Sequence, residues 1–267
     1  MVTRRTFALS AALVPLALSL GGCGDDRWKD YNYKMTVYAD GKAYSTVRHV
    51  EVTEGTSIQS SSGRRVDRKV EGEAVVIDTP SGPVFALMAP ADGQFGNGFY
   101  AAYVAEPALV PAIGRPAESE AQAAVREYRE GQSGFDNLAD DAEKHNAMLK
   151  VEGPRDLPRT IPYPDRNQGP REITVWPMLV RFGDIDNPNS VERVSPESVG
   201  ISRITIEVTT DDETSKVNRI LTEEFWRKWA KIHRDELRRP GGANNNPYFG
   251  TFASKISRDL FVSGDSE

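Results

Sequence analysis

Between Asp184 and Glu192 the chain sets Asp184, Asp186, Asn187, Asn189 and Glu192 within nine residues, a dense run of oxygen ligands. Calcium takes six to eight hard oxygens, so Asp184, Asp186, Asn189 and Glu192 are the weak candidates for a metal site. The spacing fails the EF-hand pattern, because Pro188 stands at the fifth position of the run and no glycine stands at the sixth. Asp and Asn also gather where a strand ends, because their side chains bond the backbone amides that follow. The turn reading is preferred, and no metal is expected.

Other chemistry-bearing residues are dispersed. Glu71 and Glu73 stand two apart on a predicted strand and so share a face, the arrangement that general acid and base work would need. His49, His145 and His233 fall in separate elements without the spacing that puts two imidazoles on one helical face. His145 sits on an apolar stripe and reads as a satisfied core residue. Trp226 and Trp229 could stack sugars, but Trp229 is on the core stripe and Trp226 borders it, so both read as core. No nucleophile elbow is present, and Gly96-Asn97-Gly98 lacks the rest of a phosphate-binding fingerprint. No catalytic residue and no cofactor are assigned.

The elements that would carry these groups follow from periodicity. Tyr31, Tyr33, Met35 and Val37 alternate with polar residues, and Asp40-Gly41 offers the positive φ angles of a tight hairpin, so residues 31–52 read as two antiparallel strands. Gly55 to Arg68 has little to bury and reads as an exposed loop. Val70–Asp78 and Val84–Met88 flank Thr79-Pro80-Ser81-Gly82, a turn signature, and Gly98–Ala105 reads as a fifth strand. Helices are predicted over Ala117–Glu130 and Phe135–Lys150, the second with Phe135, Leu138, Ala142, His145 and Leu149 on one face. Five prolines between Gly153 and Arg171 predict an extended linker.

Ile173–Phe182 is the most apolar internal stretch and reads as a buried strand, bulged or at an edge where Pro177 interrupts it. Ile201–Thr209 alternates and reads as a half-buried strand. Thr210-Asp211-Asp212-Glu213 has the form of a capping box, from which a helix is expected to run to Pro240 with Val217, Leu221, Phe225, Trp229 and Ile232 inward. The expected class is therefore α+β: antiparallel sheet or sheets, two central helices and a long C-terminal amphipathic helix.

The N-terminus carries an address. Arg4 and Arg5 precede an apolar run from Phe7 to Leu20 that is shorter than a membrane span and ends in Gly21-Gly22-Cys23, the form of a cleaved signal peptide. Cys23 is the single cysteine among 267 residues, so no disulfide within the chain explains it. Leu20-Gly21-Gly22-Cys23 resembles the lipobox of bacterial lipoproteins, with Gly21 a less usual occupant than Ala or Ser. That resemblance implies acylation of Cys23 as the first mature residue, hence a membrane anchor. Gly24 is not the aspartate that commonly retains such proteins at the inner membrane, so the resemblance implies the outer membrane, facing the periplasm. Thr3-Arg4-Arg5-Thr6-Phe7 also resembles the twin-arginine export signal. Leu179-Val180-Arg181-Phe182-Gly183-Asp184 and Pro188-Asn189-Ser190-Val191-Glu192-Arg193-Val194-Ser195-Pro196 are similar to a stretch in uncharacterised proteobacterial envelope proteins, which implies a setting and no activity.

The chain divides into a signal peptide (1–22), a lipidated tether (23–30), a β-rich part (31–116), a helical part (117–153), a Pro-rich linker (154–172), a strand-strand-helix part (173–240) and a flexible tail (241–267). Removal of residues 1–22 takes two arginines and no acid, leaving 31 basic against 39 acidic residues, a balance of −8. That balance argues against nucleic acid and against polybasic adhesion to lipid, so acyl chains on Cys23 are the expected membrane contact. The functional expectation is a lipid-anchored binding or structural module that meets another envelope protein or a glycan. The alternative is an envelope hydrolase acting on glycan or peptide.

Overall fold

Tyr31, Tyr33, Met35, Val37 and Ala39 are buried while the residues between them are half-exposed, so the first strand, β1 (Tyr31–Ala39), presents one apolar face. The computed structural model describes residues 28–56, 64–91, 97–113, 138–165, 169–238 and 252–264. Asp40 and Gly41 take φ of 48° and 74°, the left-handed pair of a two-residue hairpin, and the chain returns as β2 (Lys42–Thr56) with Ala39 opposite Lys42. Next comes β3 (Arg64–Glu73), laddered on β2 from Thr56 opposite Arg64 to His49 opposite Glu71. Of the exposed loop expected over Gly55–Arg68, residues 55–56 and 64–68 are thus strand, and 57–63 lie outside the described residues. Its arginines hid it: the Arg68 guanidinium lies 4.3 Å from the Tyr103 ring and 5.6 Å from the Trp28 ring, so a charged residue fills an inward position.

Ala74 interrupts the run read as one strand, donating its amide to the Phe261 carbonyl (2.7 Å). Beyond it, β4 (Val75–Thr79) and β5 (Gly82–Pro90) form the hairpin closed by Pro80-Ser81, in a different sheet from β3. Residues expected as a fifth strand instead make the helix α1 (Asn97–Tyr103), followed by the short α2 (Glu106–Leu109). Ala101 and Ala102 favour a helix, and the Tyr100 hydroxyl reaches the Val175 carbonyl (2.9 Å). Of the two central helices, 117–130 lies outside the described residues, and the second is α3 (Leu138–Met148).

The Pro-rich segment is not a linker. It supplies β6 (Arg155–Asp156) on the edge of one sheet and a two-stranded ribbon, β7 (Thr160–Asp165) with β8 (Gly169–Thr174). Pro162 and Pro164 are two apart, so both missing amides fall on the same, outer side of β7, where the ladder needs no donor. Pro177 ends the apolar run's stay in that ribbon and starts β9 (Pro177–Phe182), which pairs with β5 and with β10 (Val191–Arg193). β11 (Ile201–Thr209) forms as read and lies beside β1.

The expected helix from Glu213 to Pro240 is overturned. Thr210–Lys216 is non-helical, α4 (Val217–Ile220) is a single turn, and Leu221 is extended (φ −98°, ψ 94°) before α5 (Glu223–Arg238) begins. The amides of Lys216 and Val217 are taken by a carboxylate from a distant strand, so the capping box at Thr210 has no helix to start, and Thr222 opens α5 instead by accepting the Trp226 amide (3.0 Å). The tail is ordered over 252–264. It forms α6 (Phe252–Lys255) and β12 (Val262–Ser263), which pairs with β3.

Among the described residues the fold is therefore β-dominated, with twelve strands in three sheets and short helices, in place of the α+β arrangement with a long C-terminal helix. The six-stranded sheet runs β12-β3-β2-β1-β11-β6 and the four-stranded sheet β10-β9-β5-β4. The latter is covered on both faces. Val75, Ile77, Val84, Ala86, Met88 and Leu179 pack toward β1 and β2, whereas Val76, Phe85, Leu87, Val180 and Phe182 pack under Phe225, Trp226, Trp229 and Phe261. Double coverage explains why these strands read as unbroken apolar runs.

Candidate functional site

A cleft of about 660 Å³ opens where β3 ends, between Glu71-Gly72-Glu73, β12, the coil before α4 and the turn at Ser257–Asp259. Its buried floor is Glu73, 1% exposed. One carboxylate oxygen accepts the Lys216 amide (2.8 Å) and the other the Val217 amide (2.7 Å). The Glu73 backbone carbonyl accepts Nε of Arg48 (2.9 Å), and Arg48 Nη1 donates to the Tyr33 hydroxyl (3.2 Å), which in turn donates to the Ala101 carbonyl (2.8 Å). Arg48 is fully buried, and among the described residues its Nη2 has no hydrogen-bond partner.

Gly72 makes this possible. At φ +138° it takes a conformation that side chains avoid, and a Cβ there would stand 2.8 Å from Arg48 Cγ. The missing side chain is the space through which Arg48 reaches Glu73. Sequence reasoning missed this arrangement. Its only local trace is a glycine between two glutamates on a strand, with nothing nearby to say that an arginine lies against it.

The two glutamates do reach one cleft, but they do not work on one atom. Glu71 is half-exposed, and the Lys69 ammonium at 2.8 Å holds its carboxyl below the usual range by hydrogen bond and charge. A general acid needs the opposite shift, toward neutral pH. Both oxygens of Glu73 are spent on backbone amides. Around them the cleft carries Glu213, Asp259, Arg258, hydroxyls of Thr214, Ser215, Ser257 and Ser263, and the Asn218 amide, a lining suited to hydrogen-bonding a polar ligand.

The Asp184–Glu192 run is folded on itself. Asp184 Oδ1 accepts the Asp186 amide (3.0 Å), Asn187 Oδ1 accepts the Asn189 amide (3.1 Å), and Ser190 Oγ accepts the Asp184 amide (3.0 Å) and shares its one hydrogen between the Asp184 and Asn187 carbonyls, each at 2.7 Å. Glu192 pairs with Arg181 across the β9–β10 ladder at 2.6 Å. The run is a chain of side-chain-to-backbone turns, and among the described residues no group of three His, Cys, Asp or Glu could hold a metal ion.

His145 is buried, with Nε2 2.8 Å from the Lys29 carbonyl and its ring against Trp28 and Tyr31. Burial pushes the Tyr31 phenol far above its ordinary range. His49 bonds Asn32 (2.7 Å) on the outer side of β1, and His233 lies on α5, so the three histidines stay apart. Trp226 and Trp229 sit inside an aromatic cluster with Phe182, Phe225 and Phe261 and offer no open face. A second buried charge group joins Glu106 to Arg68 and Lys144, each at 3.7 Å, beside the Trp28 ring.

Cys23 lies outside the described residues, five positions before Trp28. Trp28 is buried, Lys29 is held by His145, and Asp30 accepts the Val52 amide (2.7 Å), so the segment read as tether is part of the fold from Trp28 onward. Among the described residues no helix is long and apolar enough to cross a membrane. No protein-family model matches the chain, and comparison with curated proteins and with solved structures gives no match.

Proposed function

We propose that the protein is a lipid-anchored module of a bacterial cell envelope, held by acyl chains on Cys23 at the outer membrane on its periplasmic side, and that it works by binding another envelope component. The observation that carries the reading is the seating of Trp28. Trp28 is buried in the fold five residues after Cys23, a reach of about 17 Å at most, so an acylated Cys23 keeps the domain close against the membrane.

Binding is favoured over turnover by what the buried polar groups of the cleft already do. Glu73 caps α4, Arg48 serves Glu73 and Tyr33, and Glu71 is paired with Lys69, so these three charged groups are engaged in holding the fold. The exposed Ser215 hydroxyl and the exposed Glu213 and Asp259 carboxylates at the rim remain for a polar partner, protein or glycan. Labelled palmitate should enter the wild-type chain, and Cys23→Ser should shift the protein to the soluble envelope fraction. Failure of the label to enter the wild-type chain would sink the anchor.

A further inference from the structure

Two strands of the six-stranded sheet outrun the others. β1 begins at Tyr31, opposite Val50, and β11 ends at Thr209, opposite Asn32, whereas β2 continues to Thr56 with β3 laddered on it from Arg64. Among the described residues, β2 and β3 thus form a ribbon that extends from Val50 to Thr56, about 20 Å past the start of β1. The N-terminal segment leaves the fold at the root of this ribbon. The Asp30 carboxylate accepts the Val52 amide (2.7 Å), and the Trp28 ring lies 5.6 Å from the guanidinium of Arg68, the residue opposite Val52. Because β1 and β2 are antiparallel, the chain traced back from Tyr31 to Trp28 runs in the direction in which the ribbon projects.

We propose that the distal end of the ribbon, Gly55-Thr56 against Arg64-Arg65, is the surface that meets the membrane, seated among the phosphates of anionic lipid headgroups. The proposal rests on the anchored reading above, and position and charge carry it together. Cys23 lies within about 17 Å of Trp28 along the chain. From Val52, beside Trp28, β2 runs about 13 Å outward to Thr56 and about 33 Å back to Lys42. A domain standing on its anchored end therefore brings the ribbon end to the bilayer and holds the Asp40-Gly41 turn away from it. Lying flat would press a body with a balance of −8 onto an anionic surface, which repels it. Residues 55–65 carry two arginines and no acid, with Glu54 and Asp67 set behind them, so the end nearest the anchor is the one an anionic layer accepts.

The test couples the mature chain through its lone cysteine, Cys23, to a maleimide phospholipid in vesicles of phosphatidylcholine and phosphatidylglycerol. The photocrosslinker benzoylphenylalanine replaces either Thr56 or Lys42. Irradiation is expected to join lipid to the chain at Thr56 and not at Lys42. Arg64→Gln combined with Arg65→Gln should lower the Thr56 adduct, at roughly fivefold for each cation removed from such a surface. Lipid joined at Lys42 as readily as at Thr56, none joined at Thr56, or an undiminished adduct in the double variant would overturn the proposal. Chemical coupling supplies the tether here, so the outcome does not depend on acylation in the cell, which palmitate labelling of the wild-type chain decides separately.

Discussion

Replacing Glu73 by Gln removes one charge and one acceptor from a buried side chain on which two amides converge. Hydrogen bonds to an ionised group contribute roughly 1.5–3 kcal/mol each, and Lys216 N and Val217 N both bond this carboxylate at 2.8 and 2.7 Å. Gln keeps one acceptor oxygen but turns an NH2 group toward the other amide, donor against donor. The expected loss is about 2–4 kcal/mol, and Glu73→Ala, which leaves both amides without the carboxylate, should cost about 4 kcal/mol or more. Against a typical total of about 5–15 kcal/mol, either change lowers the denaturation midpoint visibly. The assay is chemical denaturation with amide exchange at Val217, which should accelerate in both variants. Glu71→Gln is the control: two residues away, half-exposed and paired only with Lys69, it should stay within about 0.5 kcal/mol of wild type. If Glu73→Gln behaved like Glu71→Gln and left Val217 exchange unchanged, the capping role and the account of the broken helix would both fall.

Gly72→Ala should cost about 2 kcal/mol or more by denaturation, because the positive φ is strained for alanine and the new Cβ meets Arg48; a neutral effect would refute the space argument. Trp229→Ala should lose about 3–5 kcal/mol and the near-ultraviolet signal of the aromatic cluster, since its ring lies between 5.4 and 5.8 Å from those of Phe182, Phe225 and Phe261. Lys34 and Asp211 meet at 2.6 Å, which holds the Asp211 carboxyl below its ordinary range and the Lys34 ammonium above its own. Asp211 therefore contributes stability above the ordinary carboxylate range that is lost as pH falls through its depressed value, and Lys34 contributes stability below the ordinary lysine value that is lost as pH rises through its raised one. Denaturation midpoints across pH should flatten at both flanks in Asp211→Asn, and an unchanged profile would refute the pairing.

Features that depend on a few adjacent residues were legible in the sequence. Asp40-Gly41 specifies its own positive φ angles, Pro80-Ser81 closes its hairpin, and the alternation in β1 and β11 sets which side chains enter the core, because a strand's period is two wherever it pairs. The turns at Asp184–Ser190 are likewise bonds between near neighbours. Tertiary structure decided the rest through partners far along the chain. Glu73 sets where a helix more than a hundred residues later begins, and Arg48 needs a gap at Gly72. Residues 262–263 become a strand because β3 has an edge to receive them, and the prolines of 160–170 become a ribbon because their missing amides can face outward. Local propensity registers what a residue prefers alone. A buried carboxylate or an open sheet edge changes that preference by several hydrogen bonds at once, and the chain gives no local sign of which distant segment will supply it.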